Sequence, residues 1–284
     1  MTGHNYPLKG GNILLYYFTG TGNSYRIAEI ISRKLRDYGC DVKSVSIEDK
    51  FIAEEWEEHD CHGFIFPVHA FGLPRVMINF IKSLPDTKGK QAFILCTMGG
   101  DRRGHQVATG MIMDRARKFL TNKGYEFRGG KAVVTPENFI FIAEPPPPDE
   151  VDKLMESAQK EAERFVTDLV QGKVRTKRGN IFQWLFLGPV RLLYLFGLNS
   201  GLVAKFFKVN KRCDSCGICQ RVCPVGNIGM VQGRPIWSNR CELCFRCINV
   251  CPTRAIDFTS VTRGRRRYQE PHLKIEQLCR GKNR

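Results

Sequence analysis

The feature that most constrains this chain is a cysteine spacing that occurs twice. Residues 213–224 read CDSCGICQRVCP and residues 241–252 read CELCFRCINVCP, so both follow C-x2-C-x2-C-x3-C-P. Three closely spaced thiolates suit three corners of an iron–sulfur cube, whereas a zinc site takes its four ligands from C-x2-C pairs without this repeated tetrad. The two runs therefore predict 4Fe–4S clusters, in a region of about residues 208–260 that is too small to fold on a hydrophobic core alone.

The remaining cysteines and the start of the chain point to a reducing compartment. Cys40, Cys61, Cys96 and Cys279 show no ligand spacing, and Cys61 and Cys96 are expected to be small buried residues of strands. The first apolar run, ILLYYF, is shorter than the h-region of a secretory signal. We therefore expect a cytoplasmic protein whose clustered cysteines bind metal rather than form disulfides.

The positive charge is concentrated in the cysteine-rich half. The chain has a formal net charge of +16, and residues 170–284 hold 22 Lys and Arg against 5 Asp and Glu, which gives +17. This excess predicts an acidic partner, such as a ferredoxin or another redox protein. The basic run RGRRR at 263–267 has no interleaved aromatic residues, so we expect no nucleic-acid partner. The basic tail over residues 261–284 is expected either to be solvated or to neutralise charge near the clusters.

The first half alternates strand and helix patterns. Strands are predicted at 12–18, 41–47, 61–68, 91–97 and 131–135, and helices at 24–38, 74–84, 105–122 and 150–171. Gly39 is expected to end the first helix. Regular alternation of this kind indicates an α/β fold with a doubly wound parallel sheet covered on both faces. The first domain is therefore assigned to residues 1–171.

The loop TGTGNS at residues 19–24 lies between the first strand and the first helix. Gly20 and Gly22 allow close approach of the backbone, Thr19, Thr21 and Ser24 offer hydroxyl groups, and the helix N-terminus favours an anion. The loop contains no Lys, which excludes the Walker pattern and suits the single phosphate of a mononucleotide. The alternative is a solvated turn that only caps the helix.

Two further loops follow the third and fourth strands, PVHAFGLP at 67–74 and TMGGDRRG at 97–104. Ligands of open α/β sheets bind beyond the carboxyl ends of the strands, where all three loops would meet. His69 and Phe71 could stack on a planar ring, and Gly72, Gly99 and Gly100 would let backbone groups reach its polar edge.

A strand followed by T-x-T-G-N-S, with Ala28 in the helix behind it, resembles the phosphate signature of flavodoxins. The resemblance covers about residues 10–171 and implies strand order 2-1-3-4-5 and bound FMN. The residues that it assigns to FMN are Thr19, Gly20, Thr21, Gly22, Asn23, Ser24, Pro67, His69, Phe71, Gly72, Thr97, Met98, Gly99 and Gly100. The chain departs from the family near the ring, where flavodoxins have Trp or Tyr and acidic residues, but this sequence has His69, Phe71, Arg102 and Arg103.

The second half resembles the bacterial two-cluster ferredoxins. In that family the fourth Cys of each run ligates the cluster of the other run. The resemblance thus implies one cluster held by Cys213, Cys216, Cys219 and Cys251, and a second held by Cys241, Cys244, Cys247 and Cys223. The whole chain resembles flavodoxin–ferredoxin fusion proteins of anaerobic bacteria and archaea, in which a small α+β ferredoxin domain follows a flavodoxin-like domain.

Residues 172–207 are expected to link the two domains. They begin with a basic segment, and residues 179–204 then contain a single charge, Arg191. Gly188, Pro189 and Arg191 at the centre argue against a membrane span. Two alternatives remain for residues 179–204. They either pack between the domains or onto a partner, or they make peripheral contact with the inner face of a membrane.

These motifs predict an electron-transfer protein that passes electrons between FMN and two 4Fe–4S clusters, and that links a ferredoxin-like donor to a partner oxidoreductase. Every strong motif binds a redox cofactor, and none selects a substrate or forms a catalytic constellation. The main alternative is an FMN-dependent reductase of a small acceptor, fed through its own clusters, and a second alternative is a regulatory or scaffold protein with a degenerate flavin site.

Overall fold

The computed structural model describes Leu8 and residues 10–49, 51, 53–100, 109–199 and 201–279. The strands of the first half are β1 (Asn12–Tyr17), β2 (Asp41–Ser46), β3 (Cys61–Pro67), β4 (Gln91–Met98) and β5 (Glu126–Val134). The helices are α1 (Asn23–Asp37), α2 (Ala53–Glu58), α3 (Arg75–Ser83), α4 (Thr109–Asn122) and α5 (Pro148–Val170). A further helix, α6 (Ile181–Asn199), and a 3-10 turn (Leu202–Phe206) lead into the second half.

The five strands form one parallel sheet in the order β2-β1-β3-β4-β5. This is the order implied by the flavodoxin resemblance, and the predicted doubly wound fold is confirmed. Consecutive residues of β1 face opposite sides, because side chains alternate along a strand. Ile13 and Leu15 pack with α1 and α5 in one core, while Leu14 and Tyr16 pack with α3 and α4 in the other.

The predicted elements of this domain are present, with two differences. The short helix α2 was not predicted, and β5 begins at residue 126 rather than 131. Gly129 and Gly130 interrupt the apolar run of β5, so the sequence pattern identifies only its second half. The predicted stop at Gly39 takes a positive φ of 79°, which a helix C-terminus favours in glycine.

The second half consists of short elements around the cysteines. Its strands are β6 (Phe207–Val209), β7 (Ile228–Val231), β8 (Arg234–Trp237) and β9 (Ile256–Phe258), and its helices are α7 (Ile218–Arg221), α8 (Arg246–Asn249) and α9 (Ile275–Leu278). Strand β6 pairs antiparallel with β9, and β7 with β8. The aromatic core between them includes Phe207, Phe245 and Phe258, together with Ile140 from the first half and Leu198 from α6.

The basic linker and the C-terminal tail both pack on the rest of the protein. In the basic linker, Thr176 Oγ1 accepts a hydrogen bond from Gly130 N (3.0 Å), and Gly179 N donates to Asp114 (2.8 Å). In the C-terminal tail, Tyr268 and Leu273 are buried. Of the two alternatives for the tail, the solvated one does not hold for its described part, because its apolar side chains are buried against the rest of the protein.

Candidate redox site

The loop of residues 19–24 has the geometry of an anion site. Gly22 precedes α1 with φ 116°, and no side chain caps the helix. Among the described residues, the backbone N–H groups of Thr21, Asn23 and Ser24 meet no acceptor. Three buried, unpartnered donors at a helix N-terminus suit a phosphate, which accepts several hydrogen bonds and is attracted by the helix dipole. The residues present therefore fit the phosphate of FMN.

The side chains of this loop fix its shape rather than point outward. Thr19 Oγ1 accepts from Gly22 N (3.0 Å), and the hydroxyl groups of Ser24 and Thr97 lie 2.8 Å apart. The second contact joins the first loop to the end of β4, as expected for loops at one sheet edge. Asn23 donates to Pro136 O (2.8 Å), so the segment after β5 also reaches the loop.

The second predicted loop, after β3, is a tight turn. His69 and Gly72 exchange backbone hydrogen bonds of 2.9 and 3.1 Å, and Ala70 and Phe71 have positive φ values of 42° and 60°. Such conformations cost energy for residues other than glycine and are concentrated at functional sites. Burial, with Arg191 nearby, lowers the pKa of His69 to about 3, so the imidazole is neutral at physiological pH.

The third loop is described as far as Gly100. Pro67 and Thr97 are buried, while Met98 and Gly99 are half-buried and Gly100 is exposed. A side chain at residue 99 would overlap the Glu137 carboxylate, which is held by the backbone N–H groups of Asn138 (2.9 Å) and Phe139 (2.7 Å). Arg102, Arg103 and the predicted helix start at residue 105 lie outside the described residues.

The cysteine-rich half and the C-terminal tail cover the phosphate loop. Tyr268 donates through its hydroxyl to Asn23 Oδ1 (2.7 Å), and Glu270 N donates to Thr21 O (2.8 Å). Asn138 donates to Thr21 Oγ1 (3.0 Å), and Thr21 is 0% exposed. These residues were missed in the sequence because their positions depend on how two distant segments meet.

Arg246 is the central side chain of this contact. It lies between two cysteines of the second run and is 1% exposed. Its guanidinium donates to Gly20 O (3.0 Å), Val222 O (2.8 Å) and the Glu48 carboxylate (2.8 Å), and also to Thr19 O and Leu278 O. Burial alone would lower the pKa of Arg246, but the Glu48 carboxylate outweighs it and raises that pKa above its usual range, so the side chain is charged. It joins the phosphate loop, the second cysteine run and the tail.

The eight cysteines of the runs surround two separate cavities. One cavity is lined by Cys213, Cys216, Cys219 and Cys251. The other is lined by Cys223, Cys241, Cys244 and Cys247. Each tetrad thus takes three thiols from one run and the last thiol of the other. Cys279 lines neither cavity.

The arrangement of the thiols fits a polynuclear cluster better than a single ion. Within the described ranges, no three His, Cys, Asp or Glu side chains converge in a way that could hold one metal ion. A zinc site would need four ligands about 2.3 Å from a common point. The thiols surround a volume instead, as ligands at the corners of an iron–sulfur cube would.

The two tetrads differ in exposure and in position. Cys216 is exposed and Cys213 is half-buried, whereas Cys223, Cys241 and Cys247 are buried. The second tetrad lies toward the first domain, because the carbonyl oxygen of Cys244 is 3.2 Å from the position that a Cβ atom on Gly20 would occupy.

Helix α6 contacts both the second loop and the second cysteine run. Arg191 donates to His69 O (2.6 Å) and to Leu73 O. Three residues later, the Tyr194 hydroxyl donates to Glu242 O (3.2 Å). Arg75 Nε and Glu242 Oε1 form an ion pair of 2.8 Å next to this contact. The helix therefore lies across the junction of the two halves.

Two family models match the sequence. The flavodoxin domain model covers residues 14–187, and the 4Fe-4S dicluster domain model covers residues 212–270. No curated protein matches the chain.

Solved structures similar to the chain include several flavodoxins. Two-electron reduced Megasphaera elsdenii flavodoxin is 24% identical, with 52% of this chain and 98% of that chain covered and a TM-score of 0.37. Oxidised Flavodoxin 2 from Bacillus cereus is 18% identical, with coverage of 56% and 98% and a TM-score of 0.41. Rubredoxin oxygen:oxidoreductase from Desulfovibrio gigas is 15% identical, with a TM-score of 0.35, and the match covers 56% of this chain but only 37% of that protein.

Proposed function

Because the chain belongs to the flavodoxin domain family and continues into a 4Fe-4S dicluster domain, we propose that it is an electron carrier linking FMN at the sheet edge to two 4Fe–4S clusters. The two matched domains support an electron-transfer role. When bound, FMN supplies one- and two-electron chemistry and each cluster one-electron chemistry, while the protein sets their separation and access.

The observation that carries this proposal is the contact between the phosphate loop and the second cysteine run. Cys244 O packs against Gly20, and Arg246 holds the carbonyl groups of Thr19 and Gly20. The loop that would bind the FMN phosphate and the run that would bind the second cluster are therefore in direct contact. On this proposal, the chain would bring the two sites together without a partner protein.

The tetrad of Cys213, Cys216, Cys219 and Cys251 is the place that we propose for a partner to bind. Cys216 is exposed, and exposed arginines lie beside its cavity, whose lining also includes Asp214. Arg221 donates to Cys216 O (3.1 Å), and Arg212 donates to Arg254 O (2.8 Å). We assign electron exchange with an acidic redox protein to this rim, because complementary charge steers such encounters.

The alternative, a reductase of a small acceptor, would need an acceptor to reach the predicted ring loop. Arg191 and Tyr194 of α6 cover that loop, with Arg191 bound to its carbonyl groups. This arrangement favours exchange through the exposed tetrad and hence the carrier.

Anaerobic purification of the full chain tests the proposal directly. We expect about one FMN and about eight iron atoms per chain, from two four-iron clusters. In stopped-flow mixing with a reduced acidic ferredoxin, cluster reduction should precede flavin reduction, and raising the salt should slow the first phase. The double variant Arg212→Glu, Arg221→Glu should slow this phase, whereas Arg117→Glu, Lys118→Glu on α4 should not. Chains with full iron but no flavin would contradict the proposal. Equal rates of cluster reduction in the two double variants would contradict the assignment of partner exchange to the rim of the exposed tetrad.

A further inference from the structure

Helix α6 carries an apolar face that no described part of the protein covers. Its window Ile181–Leu198 has a mean hydropathy of 1.5, and only 11% of that window is buried. The exposed side chains are large and include Phe186, Leu192 and Leu193, each 71% exposed. An apolar surface of this kind marks a place where a soluble domain binds something else.

The opposite face of α6 is fixed to the protein. Arg191 is 1% exposed and donates to the backbone of the 69–73 turn, Leu198 is buried in the core of the cysteine-rich half, and Trp184 packs 4.9 Å from the Arg115 guanidinium. These residues follow the seven-residue spacing of one helix face. A helix held along its length cannot cross a bilayer without losing these contacts, so its exposed face is available only to a surface on which the protein lies.

The charge around α6 identifies that surface. Residues 169–213 contain nine Lys and Arg and no Asp or Glu. Of these, four exposed cations precede the helix at residues 173–178 and four follow it at residues 205–212. Two copies that met through α6 would bring these like charges together. An anionic bilayer instead offers an apolar interior to the helix and negative headgroups to both flanks.

We infer that α6 is a monotopic membrane-binding helix, with its exposed face in the headgroup–acyl boundary of an anionic bilayer. The buried face of the same helix contacts the predicted flavin-ring turn and, through Tyr194, the second cysteine run. Membrane binding would therefore place the redox sites next to the lipid surface. This inference does not depend on the cofactors, since it rests on the protein surface alone.

The test is flotation of the full chain, as purified anaerobically, with vesicles of phosphatidylcholine alone or with phosphatidylglycerol at about one third. We expect flotation with the anionic vesicles only. The variant Phe186→Glu, Leu193→Glu should reduce the bound fraction at least about tenfold, because it places carboxylates in the boundary region. The matched control, Ile142→Glu with Val231→Glu, makes the same charge change at residues that are 74% and 52% exposed elsewhere, and it should float as the wild type does.

Two readouts keep the test interpretable. The visible absorption of the clusters and circular dichroism must be unchanged in both variants, so that lost flotation reports the surface and not unfolding. Sedimentation analysis in parallel identifies self-association. No flotation of the wild type, or equal loss in both variants, would overturn the inference. If the wild type does not float but forms a dimer that dissociates in the Phe186→Glu, Leu193→Glu variant, the inference is overturned in favour of a contact between copies. Equal flotation of the wild type with neutral and anionic vesicles would overturn the role given to the cations.

Discussion

The replacement Arg246→Met tests whether one buried arginine holds the two halves together. Methionine fills much of the same space but removes every hydrogen bond to the carbonyl groups of Thr19, Gly20 and Val222 and to the Glu48 carboxylate. Because the side chain is buried, no water replaces these contacts at once.

The expected magnitude follows from the burial of this ion pair. Removing one partner of a buried, hydrogen-bonded ion pair costs about 3–5 kcal/mol. If that loss falls on the contact between the halves, the contact opens roughly 150 to 4,000 times more often, at 1.4 kcal/mol per factor of ten. In the Arg246→Lys variant, the contact should open more often than in the wild type and less often than in Arg246→Met. Lysine keeps the charge but has fewer donors in a different geometry.

Hydrogen–deuterium exchange of the full chain provides the assay, because amide groups covered by the contact exchange when it opens. In the variant, exchange should accelerate in a peptide spanning residues 19–26 but not in the central strand β4. Arg240→Met is the control, since the exposed side chain of this arginine of the same half donates, among the described residues, only to Gly226 O (3.3 Å). An exchange rate within about threefold of the wild type at residues 19–26 would refute the assignment of Arg246 as the central contact.

Three further predictions concern the tail, the loop and the tetrads. Burial raises the pKa of Glu270 above its usual range, so its charge opposes folding at neutral pH. Glu270→Gln should stabilise the protein at pH 7, and this gain should fade as the pH falls through the raised pKa of Glu270. A difference in melting temperature between variant and wild type that stays constant from pH 4 to 7 would count against this prediction. Gly22→Ala places a Cβ atom 2.5 Å from Glu270 Cβ at a φ of 116° and should cost about 1–3 kcal/mol in urea unfolding, whereas an unchanged midpoint would show that the tail does not press on the loop. Cys223→Ser and Cys219→Ser should each lose a different cluster signal in low-temperature electron paramagnetic resonance while Cys279→Ser loses none, and loss of the same signal in the first two would mean that the tetrads are not crossed.

Local patterns were sufficient to predict most of the first domain. The parallel sheet and its covered faces follow from buried runs that alternate with amphipathic helices, since each such pattern is set by burial within a few residues. The strand order came from the resemblance of the TGTGNS loop to the flavodoxin signature. Helix α2 was missed because six residues, AEEWEE, bury only Trp56 and give no periodic signal.

The candidate site was predictable only in its separate parts. The TGTGNS loop and the two cysteine runs are contiguous in sequence, and the fixed spacing of each run reflects a ligand geometry. Arg246, Asn138 and Tyr268 were not predicted, because a polar side chain that crosses between distant segments has no pattern of its own. The charge of Arg191 argues against a membrane span from the sequence alone, but its role as the anchor of α6 depends on the carbonyl groups of the 69–73 turn.

The tail that covers the phosphate loop also sets an order of events during synthesis. Residues 268–273 close over Thr21 and Gly22, yet the ribosome makes them about a hundred residues after α5 is complete. At 5–20 residues per second, the loop stays open for roughly 5–20 s on the nascent chain. A nucleotide that enters in this interval is enclosed when residues 268–273 dock, whereas a finished chain must release these residues before it can exchange what the loop holds.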